Sequence, residues 1–272
     1  MRILSINYPL PNANIDNKDI FNAPSIFEYK AIVLDPRAIE NSVLKLINNE
    51  EDFYTDTGQK VTLEETKNNQ INLLALLDRR AMEFKNALDS GSCIIIRTYP
   101  ENLITKEKVV KNVNNLNILN KIFNKIINIF NTNTLSQESD NKIINIFKSS
   151  RYFFLNNILE DTFDINKLLI QGSGVSYSKT EDYTFIDDSY FSSLLRNELG
   201  RISYNAYLNT SYNKNSNIKP ILSTVAGSVI AFKVDVLQGS LFFLPNFKEG
   251  SIEEVMREAN ALTKEFEYFF NK

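Results

Sequence analysis

Apolar residues in this chain follow two periodicities. Near the start they form short runs: Arg2 to Asn7 (RILSIN), β-branched and apolar, closes at Pro9 and Pro11 and reads as a first strand, and the unbroken Ala31-Ile32-Val33-Leu34 closes at Asp35-Pro36. Runs without polar alternation predict strands buried on both faces of a parallel sheet. A loop with a short helical piece over Asp19 to Tyr29 joins them. Ile39, Val43, Leu44, Leu46 and Ile47 then recur at helical spacing and predict a helix from Arg37 to Asn48. Beyond the polar segment Asp52 to Gly58, Thr62 with Glu65 forms a capping-box pattern opening a long helix to Ser90. Its apolar positions include Ile71, Leu74, Leu77, Met82, Phe84 and Leu88. Gly91 stops that helix, and Cys93-Ile94-Ile95-Ile96 reads as a third buried strand closing at Arg97 and Pro100.

This alternation of buried strands and amphipathic helices predicts an α/β layer fold with right-handed crossovers. One domain over residues 1–272 is expected, interrupted at 101–165 by an Asn/Ile/Phe-rich helical insertion. Within it, Asn124 to Phe130 (NKIINIF) recurs as Asn141 to Phe147, read as two similar amphipathic helices around a polar loop or as a duplicated partner-binding element. The tail predicts strands at Pro220 to Val225, Ser228 to Leu237 and Ser240 to Pro245, with turns at Ala226-Gly227 and Gln238-Gly239. Antiparallel strands are thus expected beside a parallel core. Ser251, Glu253 and Glu254 then open a closing helix to Phe270.

Composition narrows the chemistry. Across 272 residues there is one Cys and no His, so intrachain disulfides, zinc sites of the Cys/His type and imidazole catalysis are all absent. With 30 basic and 33 acidic residues interspersed, no strongly positive face is dictated, and nucleic acid is not an expected partner. No stretch reaches the ~20 apolar residues of a membrane span. A cytoplasmic protein without a membrane partner is expected.

The first strand, the AIVLDP strand, the long helix into Gly91-Ser92-Cys93-Ile94-Ile95-Ile96, and the late hairpin with its closing helix together resemble the class I glutamine amidotransferase-like branch of the flavodoxin-like folds. The closest local match is Val229-Ile230-Ala231-Phe232 followed by Leu241-Phe242-Phe243-Leu244-Pro245-Asn246. That resemblance implies a three-layer flavodoxin-like or Rossmann-like parallel sheet flanked by helices. It also implies a Phe-His-Pro-Glu strand end carrying a catalytic His and Glu. Here Phe243 and Pro245 fit the frame, while Leu244 stands in the His place and Asn246 in the Glu place. The family's nucleophilic Cys belongs on a Gly-x-Cys-x-Gly elbow, whereas Cys93 opens a strand and reads as a buried small hydrophobe. Glutamine hydrolysis is therefore expected to be missing.

Ligands of open α/β sheets sit beyond the carboxyl ends of the strands. Asn7 and Tyr8 follow the first strand, Asp35 the second, and Arg97 closes the third; with Asp188 they form a candidate ligand crevice, Arg97 offering a fork for an oxyanion. The competing reading makes Asp35 a helix cap and Arg97 a surface ion-pair partner. Ser176-x-x-Lys179 and Gly172-Ser173-Gly174 lack the companion motifs that nucleophilic or phosphate chemistry needs. Tyr204, Tyr207 and Tyr212 near Lys214 and Lys219 read as packing and surface aromatics. The expected function is a catalytically silent accessory or scaffold protein, without cofactor, binding a partner protein or its own copies, of the kind found in multi-component bacterial stress or phage-defence systems. The alternative is a Mg-assisted hydrolase or nucleotide-binding protein using Asp35, Arg97 and Asp188.

Overall fold

The computed structural model describes residues 1–47, 53–54, 60–61, 67–99, 151–159, 168–171, 182–187, 189–212 and 217–272. Its centre is an eight-stranded sheet. The strands are β1 (Ile3–Ile6), β2 (Ile15–Lys18), β3 (Ala31–Leu34), β4 (Cys93–Arg97), β5 (Tyr183–Phe185), β6 (Ile218–Thr224), β7 (Val229–Val236) and β8 (Gly239–Leu244). Their order is β2-β1-β3-β4-β8-β7-β6-β5. Strands β2, β1, β3, β4 and β8 run parallel, and the pairs β8/β7, β7/β6 and β6/β5 are antiparallel. The protein is therefore α/β, with a mostly parallel sheet and an antiparallel flank.

Helices cover both faces, which is why the parallel strands carry unbroken apolar runs. On one face Ile32, Leu34, Ile94, Ile96 and Phe243 pack under α1 (Pro36–Ile47), α2 (Lys67–Asp89) and the short α3 (Asn156–Leu159). On the other, Ile3, Val33, Ile95 and Phe242 meet α4 (Ser192–Asn197) and α5 (Ile252–Phe270), through Leu194, Leu195, Ala259, Leu262 and Phe266. Phe191 anchors this second core, lying edge-on to Phe242 at 4.7 Å and to Phe266 at 5.4 Å.

Several elements differ from the sequence expectation. Strand β2 lies between the first strand and Asp19, where no strand was expected; its residues Asp16, Asn17 and Lys18 carry no apolar run because an edge strand turns one side to water. The segment Ser240 to Pro245 is not an appended antiparallel strand. As β8 it lies parallel against β4, pairing Ser240 with Cys93 and Leu244 with Arg97, and so enters the middle of the sheet. Gly239 permits this entry: a Cβ there would lie 2.5 Å from the Ser92 carbonyl and 2.9 Å from Leu88 Cδ2. Met82, expected on the apolar face of α2, is 64% exposed, while Phe84, Ala87 and Leu88 make the contact.

Most of the 101–165 insertion, including the repeated NKIINIF segments, the Thr62/Glu65 capping box, Ser176, Lys179 and Asp188 lie outside the described residues. Residues 151–159 belong to the core: Tyr152, Phe154, Leu155, Ile158 and Leu159 are buried there, Phe154 against Phe84 at 4.8 Å. Arg151 forms a buried ion pair with Glu40 of α1 at 2.7 Å. Arg80 is likewise buried, its guanidinium donating to the carbonyls of Ile20, Ala23 and Pro24 and so fixing the chain after β2. The tail helix α5 starts as expected, with a complete capping box between Ser251 and Glu254.

Candidate functional site

Beyond the carboxyl ends of the parallel strands, Asn7, Tyr8, Asp35 and Arg97 are each engaged by another part of the chain. Asn7 ends β1 in the left-handed region at φ 54°, a conformation Asn tolerates better than most residues. Its carboxamide Nδ2 donates to Asp19 Oδ2 at 2.7 Å and to Ser42 Oγ at 3.0 Å, and its Oδ1 accepts from the Ile20 amide at 2.9 Å. Asn7 therefore ties the segment after β2 to α1.

Asp35 ends β3 and caps α1. Its Oδ1 accepts from the amides of Arg37 at 2.9 Å and Ala38 at 3.0 Å, satisfying two otherwise unpaired donors of the first turn. Its Oδ2 accepts from the Tyr99 hydroxyl at 3.1 Å. Burial raises the Asp35 pKa above the ordinary carboxylate value, with the two amides, Tyr99 and the Arg97 charge pulling the other way. Burial also raises the Tyr99 hydroxyl, and the neighbouring Asp35 carboxylate adds to it.

Arg97 is fully buried, not a surface ion-pair partner. Its guanidinium lies over two rings, 4.7 Å from the Tyr8 centroid and 4.4 Å from that of Phe247. Nη2 donates to Glu258 Oε1 at 2.6 Å and Nη1 to the Pro245 carbonyl at 3.1 Å. The Tyr8 hydroxyl donates to the same Glu258 oxygen at 2.5 Å. Burial works against the Arg97 charge, yet Tyr8 and Glu258 hold its pKa above the ordinary value. Burial raises the Tyr8 hydroxyl as well. From Glu258 the charges continue outward: Arg201 lies 3.5 Å from its Oε2 and 2.7 Å from Glu198, which also accepts from Arg257 Nε at 3.0 Å.

At the end of β8, Leu244 and Asn246 stitch the strand to its neighbour. The Leu244 carbonyl accepts from the Thr98 amide at 2.9 Å, and the Asn246 carboxamide donates to the Thr98 carbonyl at 2.8 Å. Alternation along paired β4 and β8 puts Arg97 and Leu244 on the same face, the one covered by α5. Cys93, at the opposite end of β4, is buried, and burial lifts its thiol well above the ordinary value.

Of the expected crevice residues, the fold brings Tyr8 and Arg97 into contact; the hydrogen bonds of Asp35 go to α1 and Tyr99 instead, and it acts on Arg97 through its charge. Asp187 sits at the far edge of the sheet, its amide facing the Ile221 carbonyl of β6. Glu258, Tyr99 and Phe247 were not singled out by the sequence. Glu258 had a signal: it stands beside Ala259, one turn before Leu262 and two before Phe266, a carboxylate inside an apolar stripe. Among the described residues, no group of three or more His, Cys, Asp or Glu side chains is placed to hold a metal ion. Among them, too, no helix is long and apolar enough to cross a membrane.

No protein-family model matches the chain, and no curated protein matches it. A solved structure, a cytoplasmic protein from Salmonella typhimurium, aligns over 98% of this chain and 98% of its own at 9% identity and a TM-score of 0.39. At that score the likeness carries no inference about function.

Proposed function

We propose that this chain is a non-catalytic, amidotransferase-like α/β module of flavodoxin-like type that works by binding a partner protein. The observation behind this reading is the use of Arg97. It is the cation best placed at the strand ends for an oxyanion, and its charge is matched by Glu258 while its guanidinium lies over two aromatic rings, Tyr8 and Phe247. Asp35 is divided between capping α1 and accepting from Tyr99. Leu244 and Asn246, in the places of the family's His and Glu, serve backbone pairing. The strand-end residues thus favour a structural seal that joins the closing helix to the sheet, leaving recognition to other surfaces.

Ammonia release from glutamine and calorimetric titration with Mg and a nucleotide panel test this reading. Background ammonia release and no heat of binding are expected. Glutamine turnover, or micromolar Mg-nucleotide binding that disappears in Asp35→Ala and Arg97→Ala, overturns it in favour of the hydrolase or nucleotide-binding alternative.

A further inference from the structure

On the face away from α1 and α2, the turn into α4 and the outer side of α5 enclose an open groove of about 790 Å³. That volume lies within the range of small-molecule sites. Two charged groups in its wall are matched within the protein. The Glu265 carboxylate accepts from the backbone amides of Phe191 at 3.1 Å, Ser193 at 3.0 Å and Leu194 at 3.3 Å. The Arg257 guanidinium donates to Glu198 at 3.0 and 3.4 Å. Glu253 and Lys264 oppose one another in sign, so the lining presents no net excess of either charge.

Besides Ser192 and Ala261, the lining carries groups that both donate and accept, the hydroxyls of Ser189 and Ser193 and the carboxamide of Asn197, together with the Asn260 carboxamide, whose Oδ1 accepts from Asn12 at 2.8 Å and whose NH2 remains to donate. Beside them are two large, half-exposed surfaces, Met256 at 46% and Tyr268 at 49%. The Lys272 ammonium lies 4.8 Å from the centre of the Tyr268 ring. An ionic ligand meets a balanced wall, and a purely apolar one would strip water from hydroxyl and amide groups without replacing their hydrogen bonds. A ligand hydroxyl replaces them, since it donates and accepts at once, and the C–H faces of a sugar ring match a phenol ring and a thioether.

We propose that the α4–α5 groove is a binding site for a neutral, hydroxyl-rich ligand of the short-oligosaccharide class. It does not rest on the reading of the strand ends, which lie elsewhere in the fold.

The test is calorimetric titration of the full chain with maltotriose, cellotriose and chitotriose, backed by saturation-transfer NMR. At least one trisaccharide binds with a dissociation constant of about 1 mM or tighter. Asn197→Ala and Tyr268→Ala, both at the surface, each weaken that binding about tenfold or more while the circular dichroism spectrum and melting temperature stay those of the parent. Absence of binding by all three sugars, or binding that neither substitution changes, overturns the proposal.

Discussion

Arg97 and Glu258 stand 161 positions apart in the sequence and meet at 2.6 Å, each almost wholly withdrawn from water. The pair joins the central strand β4 to the closing helix α5, with Tyr8 on the same carboxylate oxygen. A buried pair of this kind is costly to break from one side, because the surviving charge keeps its desolvation penalty and loses its partner.

Glu258→Gln is therefore expected to destabilise the fold by about 3–5 kcal/mol, read from urea denaturation. The double substitution Arg97→Met with Glu258→Leu recovers much of that loss, since no uncompensated charge remains. A loss below about 1 kcal/mol for the single variant would show that the pair is far more hydrated than its burial implies.

The Asp35 carboxyl sets a dependence on pH. Its folded pKa is raised above the ordinary 3.8, chiefly by burial, so the native chain holds that proton more tightly than the unfolded chain. The stability it contributes is complete below pH 3.8 and is lost as pH rises through the folded value. Asn also caps helices, so Asp35→Asn removes the titration while keeping a capping side chain. In urea denaturation across a pH series, the stability of the parent relative to Asp35→Asn falls as pH rises above 3.8. A difference that stays level or grows with pH contradicts this assignment.

Gly239→Ala tests the entry of β8 into the sheet. The added methyl would lie 2.5 Å from the Ser92 carbonyl oxygen and 3.0 Å from that of Leu88, both backbone atoms with little room to move. Overpacking at such a site costs about 1–3 kcal/mol, visible as a lowered thermal midpoint. An unchanged midpoint would mean that the turn before β8 relaxes freely.

Cys93 is expected to resist modification. It is fully buried, and its raised pKa keeps the reactive thiolate scarce. Labelling with a disulfide reagent such as dithiobis(nitrobenzoate) should be slow in the folded chain and rapid in denaturant, where the thiol is released. Equal rates in the two states would place the sulfur at the surface.

The parallel half of the fold was legible in the chain because both faces of its strands are covered, which writes burial into consecutive residues such as Ala31-Ile32-Val33-Leu34. The same logic hid β2, whose Asp16-Asn17-Lys18 face water at the sheet edge, and β5, where Tyr183-Thr184-Phe185 is too short to distinguish from an aromatic loop. At the candidate site, strand ends and cap positions picked out Asn7, Tyr8, Asp35 and Arg97. The capping role of Asp35 was readable from the helix that follows it, whereas the partners of Asn7, Tyr8 and Arg97 were not, because Glu258, Phe247 and Ser42 are distant in sequence and no local spacing couples them.

The sequence alone determined buried strands such as Ala31–Leu34 and Cys93–Arg97 and the closing helix, and the missing His determined that no imidazole chemistry is available, since both follow from residue type and local period. Only the tertiary structure decided that β8 runs parallel into the centre of the sheet and that Arg97 faces a carboxylate on α5. Pairing direction and charge partnership are long-range relations. They are set by which surfaces exclude water together once the chain has closed on itself.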